Sequence, residues 1–153
     1  FLNFKFELIK NNQTVSKVKN RGSKITAEIL SRISPHVSFR LFSKIKKKNP
    51  LFAENINEHY YTIEDLQYAS RSSLTDFLAK VHPIVIASSF KGVETTVKDK
   101  LLERCEPWLS KQIGLEMDSM GPISLAEIEE AQTAIITLLN ESVDKGTIKL
   151  WKV

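Results

Sequence analysis

The side chains most suited to acid–base, nucleophilic or metal chemistry are few in this chain and lie far apart. The three histidines stand at His36, His59 and His82, and no two have the four-residue spacing of a helical metal-binding pair. The one cysteine, Cys105, has the cation Arg104 beside it but no histidine near it in the sequence. A buried structural thiol is therefore predicted in preference to a nucleophile.

Two further groups share part of a functional motif but lack the rest of it. Lys91-Gly92 is without the other glycines of a phosphate-binding loop. Glu127, Glu129 and Glu130 cluster at the start of a predicted helix, where acids interact favourably with the helix dipole, and we interpret them as a solvated face. These residues predict no enzyme, no cofactor or metal site and no small-molecule substrate. The pattern indicates a helical interaction module.

The composition is typical of a soluble globular domain, with 42% hydrophobic and 26% charged residues in a chain of 153. No apolar run approaches the roughly 18–20 residues that would span a bilayer. The single cysteine fits a reducing compartment, and five glycines with five prolines leave little room for a turn-rich β fold. We expect a mostly helical, cytoplasmic domain. Because the chain begins at Phe1, we also expect a fragment of a longer protein.

Charge is distributed unevenly along the chain. Residues 1–58 carry 12 Lys and Arg against 4 Glu, a net charge of +8, whereas residues 59–153 carry 10 against 14 Asp and Glu, a net charge of −4. A basic half favours anionic partners such as nucleic acid or lipid headgroups. The alternative is that lysines occupy the solvent faces of short helices. Lys46, Lys47 and Lys48 end one such predicted helix, where cations interact favourably with the dipole.

The best-defined element is a long helix near the C-terminus. Gly121-Pro122 ends the preceding element, and Ser124 stands three residues before Glu127, the spacing of a capping box. Gly146 is a typical C-terminal stop. The apolar residues between them recur at helical spacing and predict one buried face: Leu125, Ile128, Ile135, Leu138, Leu139 and Val143.

The first part of the chain predicts a small helical-repeat unit after a linker. Residues 1–10 alternate like a strand, and a polar connector runs from Asn11 to Gly22. Start signals at Ser23, Ser34-Pro35 and Asn49-Pro50 then predict three short helices. Their inward residues are predicted to be Ile25, Ile29, Leu30, Ile33, Val37, Leu41, Phe42, Ile45, Leu51, Phe52 and Ile56.

A candidate hinge at His59–Thr62 precedes the remaining helices. Helix starts are predicted at Thr62, Ser70 and Pro107, with a further helix ending near Cys105. The run Pro83–Ile86 fits either a buried strand or a helix, since periodicity cannot separate the two. Residues 147–153 are predicted to form an extended tail.

The run from Met120 to Trp151 resembles the C-terminal end of FliG, the bacterial flagellar motor switch family. The family pattern is a Gly-Pro, a capping residue, an acidic stretch continuing Glu-Ala-Gln, an aliphatic helix and a glycine-containing exit. The matching positions are Gly121, Pro122, Ser124, Glu129, Glu130, Ala131, Gln132, Ile135, Ile136 and Gly146. Similar runs precede it in the family's order: Gly22 to Ile33 (with Ala27-Glu28-Ile29-Leu30), Asn49 to Glu54, Glu64-Asp65-Leu66, Ser73-Leu74, Val81 and Phe90-Lys91-Gly92. The likeness covers residues 22–153.

This resemblance implies an all-α fold: an armadillo-like three-helix unit at 22–58 and a six-helix C-terminal domain at 59–153, with residues 1–21 as a linker or the end of a preceding element. The family's hinge corresponds to Tyr60, Tyr61, Thr62 and Ile63. Pro83–Phe90 is implied to be helical. The implied function is that of a structural rotor component, peripheral on the cytoplasmic face of the inner membrane. Its implied partners are neighbouring copies, FliM-type switch proteins and the stator's cytoplasmic loop.

The resemblance also assigns roles to particular residues. Subunit stacking falls to Ile29, Leu30, Val37 and Leu41. The stator-facing charge ridge corresponds to Lys91, Trp108, Leu115, Glu116 and Ser124. Three of those five positions lack the family's charge, which implies a divergent paralogue with an altered torque role. An adaptor or localisation protein of the same fold is the alternative, and a basic nucleic-acid-binding module is a remote one.

Overall fold

The computed structural model describes residues 21–151, and every regular element within that range is a helix, which confirms the predicted all-α fold. The predicted strand-like run at 1–10 and the connector up to residue 20 lie outside the described residues. The elements in order are α1 (21–32), α2 (Pro35–Lys48), α3 (Pro50–Asn57), a 3-10 helix (Ile63–Tyr68), α4 (Arg71–Leu78), α5 (Pro83–Phe90), α6 (Thr95–Arg104), α7 (Pro107–Ser119) and α8 (Leu125–Asp144).

The described residues form two compact units. The first comprises the residues up to Leu30 together with His36–Tyr60, and therefore most of α1, α2 and α3. The second comprises Ser31–Pro35 and the residues from Tyr61 onward, which include the 3-10 helix and α4 to α8. The division between Tyr60 and Tyr61 falls inside the segment predicted as a hinge.

Helix starts in the first unit follow the sequence signals in two cases out of three. Helices α2 and α3 begin at Pro35 and Pro50, and the Asn49 side chain accepts a hydrogen bond from the Phe52 amide at 3.1 Å. The predicted start at Ser23 is wrong, because residues 21 and 22 are already helical and Ser23 is fully buried within α1. Arg21 and Gly22 are therefore not part of a connector.

The core of the first unit is small and partly polar. Ser38 is buried and donates its hydroxyl hydrogen bond to the Leu30 carbonyl at 2.8 Å, and its Oγ lies 3.0 Å from the Tyr60 hydroxyl. The Tyr60 ring stacks on Phe42 with centroids 6.3 Å apart. Because short side chains such as Ala27 and Ala53 bring the helices together, several residues predicted to point inward are exposed: Ile25, Ile29, Val37, Leu41 and Leu51.

The second unit has a larger core around α5 that is mostly apolar, with a few buried hydroxyls such as that of Ser89. Ile86 and Phe90 are fully buried, and α5 packs mainly against α7 and α8. The strand alternative for Pro83–Ile86 is thus wrong and the helix is confirmed. All six helices of the unit contribute to this core, with Leu66, Leu74, Leu78, Leu101, Leu109, Ile113, Ile135 and Leu139 among its most buried members.

The predicted boundaries in the second unit are confirmed. Ser70 caps α4 by accepting from the Ser73 amide at 3.3 Å, and the Thr62 amide donates to the Asp65 carboxylate at 2.8 Å. Gly146 ends α8 with a φ of +72°, in the left-handed region that glycine adopts freely. The predicted inward position of Leu125 is wrong, because the first turn of α8 extends past the core and leaves this side chain 68% exposed.

Residues 147–151 form neither helix nor strand and pack against the second unit, whereas residues 152 and 153 of the predicted tail lie outside the described residues. Ile148 is 3% exposed, and the Trp151 amide donates to the Tyr68 carbonyl at 3.1 Å. This segment therefore closes the core on the side of the 3-10 helix.

Gly92 marks the closest approach of the α5–α6 turn to α8. A Cβ at this position would lie 2.6 Å from Ile128 Cγ2 and 2.7 Å from Gln132 Nε2. The Gln132 side chain is held there because it donates to the Ser89 carbonyl at 3.1 Å. Ile128 is β-branched and stiff about χ1, so it cannot swing aside at low cost.

Gly92→Ala should therefore destabilise the chain by roughly 1–3 kcal/mol, the usual cost of overpacking. The matched control is Gly114→Ala in α7, where a Cβ would meet nothing within 4 Å. That change should instead stabilise by up to about 1 kcal/mol, since alanine favours a helix interior. Urea unfolding of both variants measures the difference. Equal stabilities for the two variants would contradict the close approach.

Candidate functional site

The candidate site consists of five positions, Lys91, Trp108, Leu115, Glu116 and Ser124, which we call the ridge. All five lie in the second unit. Lys91 follows α5, three positions lie on α7, and Ser124 is the residue before α8. The ridge thus draws on the two helices, α7 and α8, that pack against α5.

The α7 part of the ridge presents apolar side chains to solvent. Trp108 is 57% exposed and Leu115 is 61% exposed. Seven residues separate them, which is about two helical turns, so they lie on the same face of α7. The opposite face carries Leu109 and Ile113, both buried in the core. This geometry excludes a packing role for Trp108 and Leu115 inside the second unit.

Lys91 is tied to the connection between α7 and α8. Its Nζ donates to the Gly121 carbonyl at 2.8 Å and to the Met120 carbonyl at 3.2 Å, and the residue is half-buried. We call this pair of bonds the Lys91 latch. Ser88, one turn earlier on α5, also reaches the connection, with its Oγ 3.8 Å from Met120 Sδ. The ammonium group therefore positions backbone as well as carrying charge.

Ser124 forms the predicted capping box. Its Oγ accepts from the Glu127 amide at 3.2 Å, and its own amide donates to Glu127 Oε2 at 2.7 Å. The Ser124 hydroxyl also lies 2.9 Å from Glu127 Oε2, to which it donates. The bonds that the carboxylate accepts, first from the Ser124 amide and second from the Ser124 hydroxyl, lower the pKa of the Glu127 carboxyl. Glu127 is thus a capping acid and not only part of a solvated face.

The remaining ridge acid, Glu116, is half-buried near the end of α7. Its carbonyl accepts from the Met120 amide at 3.0 Å and from the Ser119 hydroxyl at 3.1 Å. The backbone of Glu116 thus terminates the helix. Lys91 also bonds to Met120, through the Met120 carbonyl, so both charged ridge positions contact the residue at which the α7–α8 connection begins.

The four predicted hinge residues have unequal environments. Tyr60 packs in the first unit through Phe42 and Ser38, whereas Ile63 is 3% exposed in the core of the second unit. Tyr61 also packs against that core. Of the four, Ile63 is therefore the most deeply buried.

The predicted stacking positions separate into exposed and buried residues. Ile29, Val37 and Leu41 are 57%, 43% and 41% exposed, respectively. Leu30 is 3% exposed because it packs within the first unit, so its side chain is not part of an exposed face. The apolar surface offered by this unit therefore includes three of the four predicted residues.

Cys105 lies 2% exposed in the core of the second unit, in agreement with the predicted structural thiol. Burial raises the pKa of its thiol to about 11, against the opposing effect of the Arg71 charge. A thiol with this pKa stays protonated at neutral pH and is a poor nucleophile.

No group of three or more His, Cys, Asp and Glu side chains within residues 21–151 is arranged to hold a metal ion. Among the described helices none combines the length and hydropathy needed to cross a bilayer.

Sequence reasoning missed the contacts that hold the site in place. Glu129, taken as solvated, accepts a hydrogen bond from Ser34 at 2.8 Å within the second unit. The Lys91 latch and the Gln132 bond to the Ser89 carbonyl join residues about 30 to 43 positions apart. No local spacing signals such pairs. The one available hint was Gly92 beside Lys91, since a glycine often marks close backbone approach.

The helices define a class: an all-helical domain in which a short helical unit precedes a capped helical core in the sequence. The family model of the FliG C-terminal domain matches residues 43–150. This chain belongs to the FliG C-terminal domain family.

Curated relatives agree with that assignment. The flagellar motor switch protein FliG of Aquifex aeolicus is 25% identical over 133 residues, which are 87% of this chain and 40% of that protein. The protein of the same description from Thermotoga maritima is 26% identical over 137 residues, covering 90% of this chain and 40% of the relative. The chain therefore spans about two fifths of the length of these relatives.

Solved structures share the fold. A crystal structure of a FliG fragment from H. pylori matches with a TM-score of 0.60 and 22% identity, covering 94% of this chain and 69% of that one. The structure of full-length FliG from Aquifex aeolicus matches with a TM-score of 0.52 and 23% identity, covering 92% and 46%. The helical arrangement is thus that of known FliG structures.

The Lys91 latch predicts a local loss of stability when its amine is removed. Lys91→Met keeps an unbranched apolar stem but loses both bonds, and it should cost about 1 kcal/mol, since the group is only half-buried. Amide hydrogen exchange at residues 120–125 should accelerate. The control is Lys100→Met, an exposed lysine on α6, which should change neither quantity. Unchanged exchange in Lys91→Met would show that the latch does not hold the connection.

The capping box predicts a pH-dependent contribution to stability. Ser124→Ala should cost about 1 kcal/mol at neutral pH, the usual value for a lost N-cap. Because the folded-state pKa of Glu127 is lowered, its stabilising effect is present above the unfolded-state value and is lost as the pH falls through the folded-state value. Glu127→Gln should therefore destabilise at pH 7 and converge with the parent in acid. Urea unfolding of the parent and of the Glu127→Gln variant at pH 7 and in acid tests this. A difference in unfolding free energy that does not change with pH would contradict it.

Proposed function

We propose that this chain is the C-terminal part of a structural rotor component in the bacterial flagellar motor switch. The observation that carries the proposal is the family match over residues 43–150, which includes every helix of the second unit. The curated relatives, described as flagellar motor switch proteins, support it. In this role the chain supplies a scaffold and contact surfaces, and no enzymatic step is assigned to it.

The proposed partners follow from the exposed surfaces and the family. Neighbouring copies of the protein stack on the apolar residues Ile29, Val37 and Leu41 of the first unit, each of which is more than 40% exposed. The other proposed partners are FliM-type switch proteins and the cytoplasmic loop of the stator. The site of action is the cytoplasmic face of the inner membrane, at the basal body, as a peripheral component.

The ridge that faces the stator is altered in its electrostatics. Of its five positions only Lys91 and Glu116 are ionisable, and the Lys91 ammonium is held by two backbone carbonyls. Exposed ion pairs contribute about 0–1 kcal/mol each, so recognition through charge depends on several acting together. With Trp108 and Leu115 exposed on α7, this ridge offers contact area in place of charge.

The same observation favours one alternative function. A protein of this fold whose ridge has lost most of its charge can dock on the switch complex as an adaptor or localisation factor without transmitting torque. The two functions differ in what happens when the protein is removed.

Deletion of the gene from the source bacterium separates them. A rotor component predicts cells that assemble flagellar filaments but do not rotate them, scored by filament staining and by tethered-cell rotation. Swimming at the parental speed would reject the rotor role and support the adaptor.

Complementation of the deletion strain then tests the ridge. Glu116→Lys reverses the charge at a ridge position, and Asp118→Lys makes the same change two residues later on the exposed surface of α7. For a ridge that no longer depends on charge, both variants should restore rotation within about twofold, because a single exposed pair is worth about 1 kcal/mol or less. Loss of rotation with Glu116→Lys alone would show that the ridge charge still transmits torque. Lys91 is unsuitable here, because changing it also breaks the latch.

A further inference from the structure

Helix α2 carries a concentration of positive charge with no acid of its own. Its 14 residues include Arg40, Lys44, Lys46, Lys47 and Lys48 and neither Asp nor Glu. All five cationic side chains are exposed. The helix thus contributes a charge of +5 to a chain whose net charge is +4.

An exposed aromatic ring lies within this charge. Phe39 is 71% exposed, more than any other large hydrophobic residue in the described part of the chain. At about 100° per residue, Phe39, Arg40, Lys46 and Lys47 fall within about 120° of one another around α2. We call these four residues the basic face.

The basic face is separate from the surface proposed for subunit stacking. Val37 and Leu41 lie about 140° around α2 from the centre of the basic face. A neighbouring subunit seated on Val37 and Leu41 would therefore leave Phe39 and its flanking cations outward. The basic face is therefore available to a second, independent ligand.

Local helix physics accounts for only part of this pattern. Cations in the last turn interact favourably with the helix dipole, which covers Lys46, Lys47 and Lys48. The dipole effect falls off within that turn and does not extend to Arg40. It also gives no reason for a phenylalanine that is 71% exposed.

We propose that the basic face of α2 binds the anionic headgroup surface of a phospholipid membrane, with Phe39 entering the interfacial layer. Lysine and arginine near an anionic leaflet are attracted to it, and an aromatic side chain on the same face adds apolar burial in the headgroup region. One ring and a few cations give weak, reversible and salt-sensitive association. Such binding would orient the first unit towards the membrane surface without inserting a helix.

The aromatic ring favours lipid over nucleic acid as the ligand. Binding to a duplex rests on neutralising phosphates and on polar contacts to base edges, and a lone phenylalanine between lysines contributes to neither. A bilayer interface rewards the ring and the cations together. The contribution of Phe39 therefore distinguishes the two ligands in a measurement.

Vesicle co-sedimentation of the full chain tests the proposal. We expect binding to vesicles of phosphatidylcholine mixed with phosphatidylglycerol, little binding to phosphatidylcholine alone, and loss of binding at high salt because the charges are screened. Arg40→Gln with Lys46→Gln and Lys47→Gln should weaken binding on the order of a hundredfold, at about fivefold per cation. Phe39→Ala should weaken it by about tenfold.

The matched control removes the same charge from the second unit. Lys100→Gln with Lys111→Gln and Lys145→Gln changes three exposed lysines and should leave binding within a factor of two or three of the parent. All of the substituted side chains are exposed, so circular dichroism should show unchanged helix content in every variant. As a direct probe, Phe39→Trp should shift its emission to the blue on adding anionic vesicles, beyond any change in the parent chain.

Three results would overturn the proposal. If the two triple variants weakened vesicle binding equally, binding would depend on net charge alone and not on the basic face. Unchanged binding in Phe39→Ala together with no emission shift in Phe39→Trp would show that the ring does not enter the membrane interface. Tighter binding to a random-sequence DNA duplex than to anionic vesicles at the same salt would make nucleic acid the ligand. None of these measurements depends on motility, so failure here leaves the rotor role standing, and the reverse also holds.

Discussion

The packing of the α5–α6 turn against α8 is the contact on which the second unit depends. Gly92 allows it, because the missing Cβ leaves room for Ile128 and Gln132 at distances where a side chain would collide. Gln132 uses that proximity to donate to the Ser89 carbonyl at 3.1 Å. Lys91, the residue before Gly92, donates to the Met120 and Gly121 carbonyls in the connection that leads into α8. One turn therefore fixes both the body of α8 and its entry.

This arrangement gives the ridge its chemical character. Because the Lys91 ammonium donates to two carbonyls, it has fewer hydrogen-bonding positions left for a partner. At the other end of the same connection, Ser124 meets the requirement of a helix N-terminus for an acceptor, with Glu127 completing the box. A long cation at position 124 would lose that cap. Structural demands on the α7–α8 connection therefore compete directly with a charged ridge.

How far the sequence predicts this fold depends on the range of the interactions concerned. Asn49, Ser70, Ser124 and Gly146 act within four residues of themselves, and their local chemistry is enough to place helix ends correctly. Ser23 has the same side chain as Ser124 yet lies buried inside α1, because burial against other elements overrides a local preference.

Periodicity is similarly limited. It identifies which face of a helix is apolar but not how much of that face a neighbour covers, so Leu51 and Leu125 are exposed at 62% and 68% despite their apolar spacing. The Lys91 latch and the Gln132 bond join residues far apart in the sequence, so no local pattern predicts them. The family resemblance supplied what periodicity left open at Pro83–Ile86, since a short apolar run fits a strand or a helix equally well.

The exposed apolar residues of this chain are best explained by the size of the cores beneath them. In the first unit the buried side chains include Ala27, Leu30, Ser38, Ala53 and Ile56, and Val37, Leu41 and Phe39 stay exposed outside this small core. A short helical unit buries too little surface to be self-sufficient, which is why helical repeats stack. Because Phe39 faces away from the stacking residues, one neighbouring subunit cannot satisfy all three. Helix α2 therefore exposes Val37 and Leu41 on one side and Phe39 with Arg40, Lys46 and Lys47 on another, so two different surfaces can meet the same helix.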